Sequence, residues 1–90
     1  MKYCYVYILL LSNKQLYTGF TENLNSRVKD HTYGKVESTK NRRPLELIHA
    51  ERYYLESDAR RRERFLKTTE GKRLLHQQIR DVLRIKGVIE

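Results

Sequence analysis

The chain alternates strongly at its start. From Tyr3 to Leu11 every position is apolar or tyrosine, with Tyr3, Tyr5 and Tyr7 on one face of an extended segment and Cys4, Val6 and Ile8 on the other. Two apolar faces predict a strand covered on both sides, hence a central one. Ser12-Asn13-Lys14 is a turn signal, and Gln15 to Phe20 reads as the return strand of a hairpin. Tyr7 and Tyr17 share a face of that hairpin only if the loop is odd, of three or five residues; a two-residue loop would separate them. Thr21 or Asn23 then caps a helix over Leu24–His31, with Leu24, Val28 and His31 on one side and Arg27 beside them. Gly34 suits the helix stop.

Val36 to Pro44 is a basic loop. Leu45 to Tyr53 predicts a third strand, placing Leu45, Leu47, His49, Glu51 and Tyr53 on one face and Glu46, Ile48, Ala50 and Arg52 on the other. A second helix is expected from Ser57 or Asp58 to Thr68. Its inner stripe is Leu55, Ala59, Arg62 and Leu66, with Glu63 at the edge. Gly71 suggests a break, and Lys72–Lys86 a third helix with Leu75, Ile79 and Val82 as its seam and Gly87 as its stop. The order is β-β-α-β-α-α.

Ninety residues suffice for one domain over 1–90, and the 39% hydrophobic fraction is too high for a disordered chain. The longest apolar run falls far short of the roughly 20 residues that span a bilayer, and no signal peptide is visible, so a cytoplasmic protein is expected. Cys4, the only cysteine, can form no intrachain disulfide and reads as a buried strand residue. Nineteen Lys and Arg against eleven Asp and Glu give a net charge of +8, which attracts polyanions, nucleic acid foremost. An anionic membrane is disfavoured: the basic helix carries only Phe65 as an aromatic.

The candidate chemistry lies in a few positions. A phenol is a poor base when isolated, but a neighbouring cation stabilises its phenolate, which gives Tyr7 and Tyr17 a use beside Arg27. Arg27 and His31, four residues apart, share a helix face, and histidine passes protons near neutral pH. Glu63 is a carboxylate that a magnesium ion would accept as its protein ligand. Phosphodiester hydrolysis needs that inventory. Gly19 permits close backbone approach. Lys40, Arg42, Arg43, Arg60 and Arg64 offer phosphate contacts that position nucleic acid without reading its sequence. Each feature also has an ordinary reading. The tyrosines can be strand packing, Arg27 and His31 a solvated helix surface, and Glu63 a member of local ion pairs.

Tyr5-Val6-Tyr7-Ile8-Leu9, then Leu16-Tyr17-Thr18-Gly19-Phe20-Thr21, then Asn23-Leu24 through Arg27 to His31, resemble the GIY-YIG nuclease superfamily, in particular its small single-domain bacterial members. The motifs cover Tyr3 to Gly34, and Pro44 to Lys67 fits more loosely. The resemblance implies an α/β fold of the α+β type, with a small three-stranded antiparallel sheet flanked by helices. It also implies a divalent-metal-dependent endonuclease acting on DNA before RNA, at branched or damaged structures. It makes Tyr7 and Tyr17 the tyrosines that position or activate water, with Tyr17 the base. Gly19 is the motif glycine, Arg27 the group that stabilises phosphoryl charge, and His31 a proton-transfer or phosphate contact. Glu63 is the ligand of one Mg2+ or Mn2+ ion. Two departures stand out: Tyr5 occupies the first motif's glycine position, and Phe20 a position where some repair members carry lysine. No additional DNA-binding domain is visible, so a protein partner supplying specificity is expected. The rival reading is a non-catalytic nucleic-acid-binding module of the same fold. A weaker one is an interaction subunit docking through Lys72–Lys86.

Overall fold

A computed structural model describes residues 2–90. Strand β1 (Cys4–Leu10) is central in a three-stranded antiparallel sheet of order β2-β1-β3, with β2 at Leu16–Thr21 and β3 at Glu46–Tyr53. This is the expected three-stranded sheet flanked by helices. Burial on both faces explains the unbroken apolar run. Val6 and Ile8 pack under the C-terminal helices, while Tyr7, Leu9 and Leu11 form a second cluster with Tyr17, Leu24 and Leu45.

The hairpin parity is the odd one. Five residues, 11–15, separate β1 from β2, with Leu10 opposite Leu16, Leu9 opposite Tyr17 and Tyr7 opposite Gly19. Lys14 adopts φ 68°, the left-handed residue that closes a three-residue turn of this type, and its amide bonds the Leu11 carbonyl at 2.9 Å. Tyr7 and Tyr17 therefore share a face.

Helix α1 spans Leu24–Thr32. Asn23 is its cap, accepting from the Ser26 amide at 3.1 Å, while the Thr21 hydroxyl accepts from the Asn23 amide at 3.0 Å. A 3-10 turn, Lys40–Arg42, lies in the loop before β3.

The alternation expected for β3 is interrupted. Ile8 pairs with His49 but Leu9 pairs with Leu47, so a bulge absorbs one residue. It moves Leu47 to the Tyr7 face and leaves His49, Glu51 and Tyr53 on the Val6 face. A single-period reading cannot foresee such a slip.

Helix α2 (Glu56–Leu66) buries Ala59 and Leu66 against β1, whereas Leu55, expected on the inner stripe, is the exposed residue before it. The third helix ends at Lys86–Gly87 as expected but differs at its start and in its middle. It begins at Thr69, and the chain turns at Lys67–Thr68, where the Thr68 hydroxyl caps by accepting from the Gly71 amide. Gly71 is no break. It is buried in the first turn, where a Cβ would lie 1.9 Å from the Phe65 carbonyl oxygen. The absent side chain allows this helix to pack on the end of α2. The helix is also interrupted at Ile79, giving α3 (Thr69–Gln78) and α4 (Arg80–Ile85). The bend lets Leu75, Ile79 and Leu83 all reach the core.

A polar network ties β3 to these helices. The Glu51 carboxylate accepts from Arg62 Nε at 2.9 Å and Nη2 at 3.1 Å, from His49 at 2.9 Å and from the Tyr53 hydroxyl at 2.8 Å. Arg62 also donates to Gln78 on α3 at 2.9 Å. Among the described residues, no helix is long and apolar enough to cross a membrane.

Candidate active site

The site begins with strand pairing. Tyr7 stands opposite Gly19, and its ring lies over the glycine: a Cβ there would meet Tyr7 Cζ and Oη, each at 2.3 Å. The close approach expected at Gly19 is thus made by Tyr7 itself. Tyr7 cannot swing aside cheaply, because it is buried and its hydroxyl is hydrogen-bonded to His31 Nε2 at 2.9 Å. Gly19→Ala is therefore expected to destabilise the protein by about 1–3 kcal/mol through overpacking. Urea unfolding would measure this, and an unchanged midpoint would show that the ring can move.

His31 projects from the last turn of α1 and is fully buried. Its other nitrogen, Nδ1, is 2.8 Å from the hydroxyl of Thr39, also fully buried. Burial and then the positive charge of Arg27 hold His31 below its ordinary pKa, so the ring is neutral at pH 7. A neutral imidazole has one donor and one acceptor, so the direction of the Thr39 bond sets whether Nε2 accepts from Tyr7 or donates to it. Thr39 was not singled out in the sequence. It sits in a polar loop eight residues beyond His31, and nothing local marks it. His31 is fully buried, so its ring meets Tyr7, Tyr17 and Thr39 and not solvent.

Tyr17 completes an aromatic triad, its centroid 5.1 Å from His31 and 6.3 Å from Tyr7. Unlike Tyr7, which is buried, Tyr17 is half-buried. Burial pushes Tyr7 above its ordinary pKa, with the Arg27 guanidinium beside it pulling the other way. Arg27 is in turn raised by its proximity to Tyr7 and Tyr17.

Glu63 on α2 is near enough for its charge to act on Tyr7. Its side chain is half-buried and paired with Lys67 at 3.1 Å and Arg60 at 3.5 Å. No group of three or more His, Cys, Asp and Glu side chains able to hold a metal occurs among the described residues. A lone carboxylate oxygen donor still fits a magnesium-like ion that takes its other ligands from water and substrate phosphate.

The basic positions differ in what they do. Lys40 pairs with Glu37, Arg42 donates to Gln15 Oε1 and the Ser38 carbonyl, and Arg43 donates to the Lys40 and Thr32 carbonyls. All three brace the loop that carries Thr39. Arg60 lies 3.6 Å over the Phe20 ring and also pairs with Glu56. Arg64 is exposed, with no side-chain bond among the described residues. A cavity of about 400 Å³ between β2 and α3, lined by Leu16, Thr18, Leu66 and Leu75 among others, includes none of the tyrosines, Arg27, His31 or Glu63.

A family model described as the GIY-YIG catalytic domain matches residues 3–76. The chain belongs to the GIY-YIG family. A UPF0213 protein of Staphylococcus haemolyticus is 43% identical over 65 residues, covering 71% of this chain and 79% of that one. A UPF0213 protein of Natronomonas pharaonis is 42% identical over 65 residues, covering 71% and 76%. The solution NMR structure of the UPF0213 protein BH0048 from Bacillus halodurans superimposes with a TM-score of 0.56 at 30% identity, covering 84% of each chain. The GIY-YIG match extends past the tyrosine motifs to include β3, α2 with Glu63, and most of α3.

Proposed function

We propose that this GIY-YIG protein is a divalent-metal-dependent endonuclease that hydrolyses phosphodiester bonds of DNA, with branched DNA the first substrate to test. One observation carries the reading. The half-buried Tyr17 stands against a buried Tyr7–His31–Thr39 chain, and the charges of Arg27 and Glu63 both act on Tyr7, in a protein of net charge +8.

In this reading Tyr17, in the phenolate form that the Arg27 cation stabilises, holds the attacking water and takes its proton. Tyr7 fixes the position of Tyr17 and is itself held by His31, whose orientation Thr39 sets. Arg27 offsets the negative charge that grows on the phosphoryl oxygens. Glu63 holds Mg2+ or Mn2+, which when bound supplies Lewis-acid stabilisation of the leaving oxygen. Arg60 and Arg64 contact the flanking phosphates.

The test is cleavage of labelled duplex, single-stranded, flap and four-way-junction DNA with Mg2+ or Mn2+, beside Glu63→Ala. Metal-dependent cutting by the wild type, reduced about 100-fold or more in the variant, supports the proposal. Retained salt-sensitive binding with no cutting on any substrate replaces it with the binding-module reading.

A further inference from the structure

The sheet face that carries Tyr7 and Tyr17 is covered over only part of its width. Around β1 and β2 it is closed by side chains such as Leu24 and His31 from α1. Towards β3 it stays open: Ala50, Arg52 and Tyr54 are exposed. Strand register sets these residues along the same face, running outwards from Tyr7. Ala50 stands opposite Tyr7, Arg52 opposite Tyr5, and Tyr53 opposite Cys4, which sets Tyr54 across from Tyr3. Tyr3, Tyr5 and Tyr7 follow one another on this face in steps of roughly 7 Å.

The open end is aromatic and cationic. Arg52 Cζ lies 4.3 Å over the Tyr3 ring, and Tyr3 meets Tyr54 edge-on with centroids 6.3 Å apart. Tyr54 nevertheless remains 61% exposed and Tyr3 37%. Arg52 has no carboxylate partner among the described residues, so its charge is uncompensated. Rings left in water beside a free guanidinium, contiguous with a candidate phosphodiester site, are a specific chemistry.

We propose that Tyr3, Arg52 and Tyr54 form a stacking platform for unpaired nucleobases of a nucleic-acid strand whose backbone runs on to Tyr17. The proposal deepens the nuclease reading and rests on it for the direction of the strand. Aromatic rings and guanidinium planes stack on base faces, and the arginine also contacts phosphate. In a duplex those base faces are already stacked on each other, so only a single-stranded or unpaired segment can use the platform. An apolar peptide would leave the Arg52 charge buried without a partner, which is costly.

The test is a titration, in EDTA, of a short single-stranded oligodeoxynucleotide carrying 2-aminopurine, whose fluorescence is quenched on stacking. Wild-type protein should quench it. Tyr54→Ala and Arg52→Ala should each weaken binding about five- to tenfold with reduced quenching, and Tyr54→Phe should retain both. Circular dichroism identifies any variant that fails to fold, and Tyr54, being exposed, is the variant least exposed to that failure. An oligonucleotide that is abasic throughout should bind more weakly than the base-bearing one. Equal binding of the two, binding without quenching, or wild-type behaviour in Tyr54→Ala would each overturn the platform. The titration contains no divalent metal and reads no cleavage. A protein that stacks the base and never cuts DNA would therefore uphold the platform and overturn only the nuclease reading.

Discussion

Tyr17→Phe is expected to reduce metal-dependent DNA cleavage by about 100-fold or more, the range lost when a positioned proton acceptor is removed. The substitution deletes one oxygen. The Tyr17 ring packs against His31 and Tyr7 through its faces and edges, and phenylalanine preserves those contacts. Stability should therefore stay within about 0.5 kcal/mol of the parent, as for a substitution that disturbs no packing. Among the described residues Tyr17 makes no hydrogen bond that phenylalanine would orphan; the bonded phenol is that of Tyr7. Tyr7→Phe should behave differently, since it strips His31 Nε2 of its partner inside the protein and lowers stability as well as activity. Single-turnover cleavage and urea unfolding on both variants separate the roles. Equal cleavage by Tyr17→Phe and wild type would remove Tyr17 as the base.

Glu51→Ala is expected to cost about 3–5 kcal/mol, the scale for breaking a buried ion pair by removing one partner. The Glu51 side chain is 15% exposed and that of Arg62 26%. Without the carboxylate, Arg62, His49 and Tyr53 all lose their acceptor, and the link from β3 through Arg62 to Gln78 opens. Burial alone would raise the Glu51 carboxyl, but the hydrogen bonds from Arg62, His49 and Tyr53 outweigh it and hold the group at about 2, from an ordinary 4.5. A carboxylate depressed on folding contributes stability that is full above its unfolded value and is lost as pH falls towards its folded one. The gap corresponds to about 3 kcal/mol. Wild-type stability should accordingly decline between about pH 5 and pH 2, and Glu51→Gln should lack this part of the decline. His31, depressed by burial, adds a loss that begins higher, below about pH 6.5. Urea unfolding across this range checks both, and coincident acid profiles for Glu51→Gln and wild type would show that the network does not carry the acid dependence.

Much of the fold was legible because it rests on local rules. The two apolar faces of Tyr3–Leu11 predicted a central strand, whereas the turn signal left the hairpin parity open and the strand register settled it as odd. The helix stop at Gly34 and the cap at Asn23 are likewise local, since each depends on one residue's backbone or side-chain oxygen. The errors share a different cause. The bulge in β3, the bend at Ile79 and the packing role of Gly71 are set by what lies opposite in space. A glycine that ends a helix and one that admits a neighbouring carbonyl look alike in a sequence.

The candidate site divides in the same way. The sequence by itself determined which residues are candidates for the chemistry and the order in which they occur, because residue type and spacing along a strand or helix are linear properties. Only the tertiary structure decided that Tyr7 is buried and Tyr17 half-buried, and that Thr39 closes the hydrogen-bonded chain behind His31. It also decided that Arg42 and Arg43 brace a loop, and that Tyr3, Arg52 and Tyr54 meet beside the site. Burial and hydrogen-bond partnership across 8 to 27 residues of chain depend on how strands register and helices dock, and no local pattern encodes them.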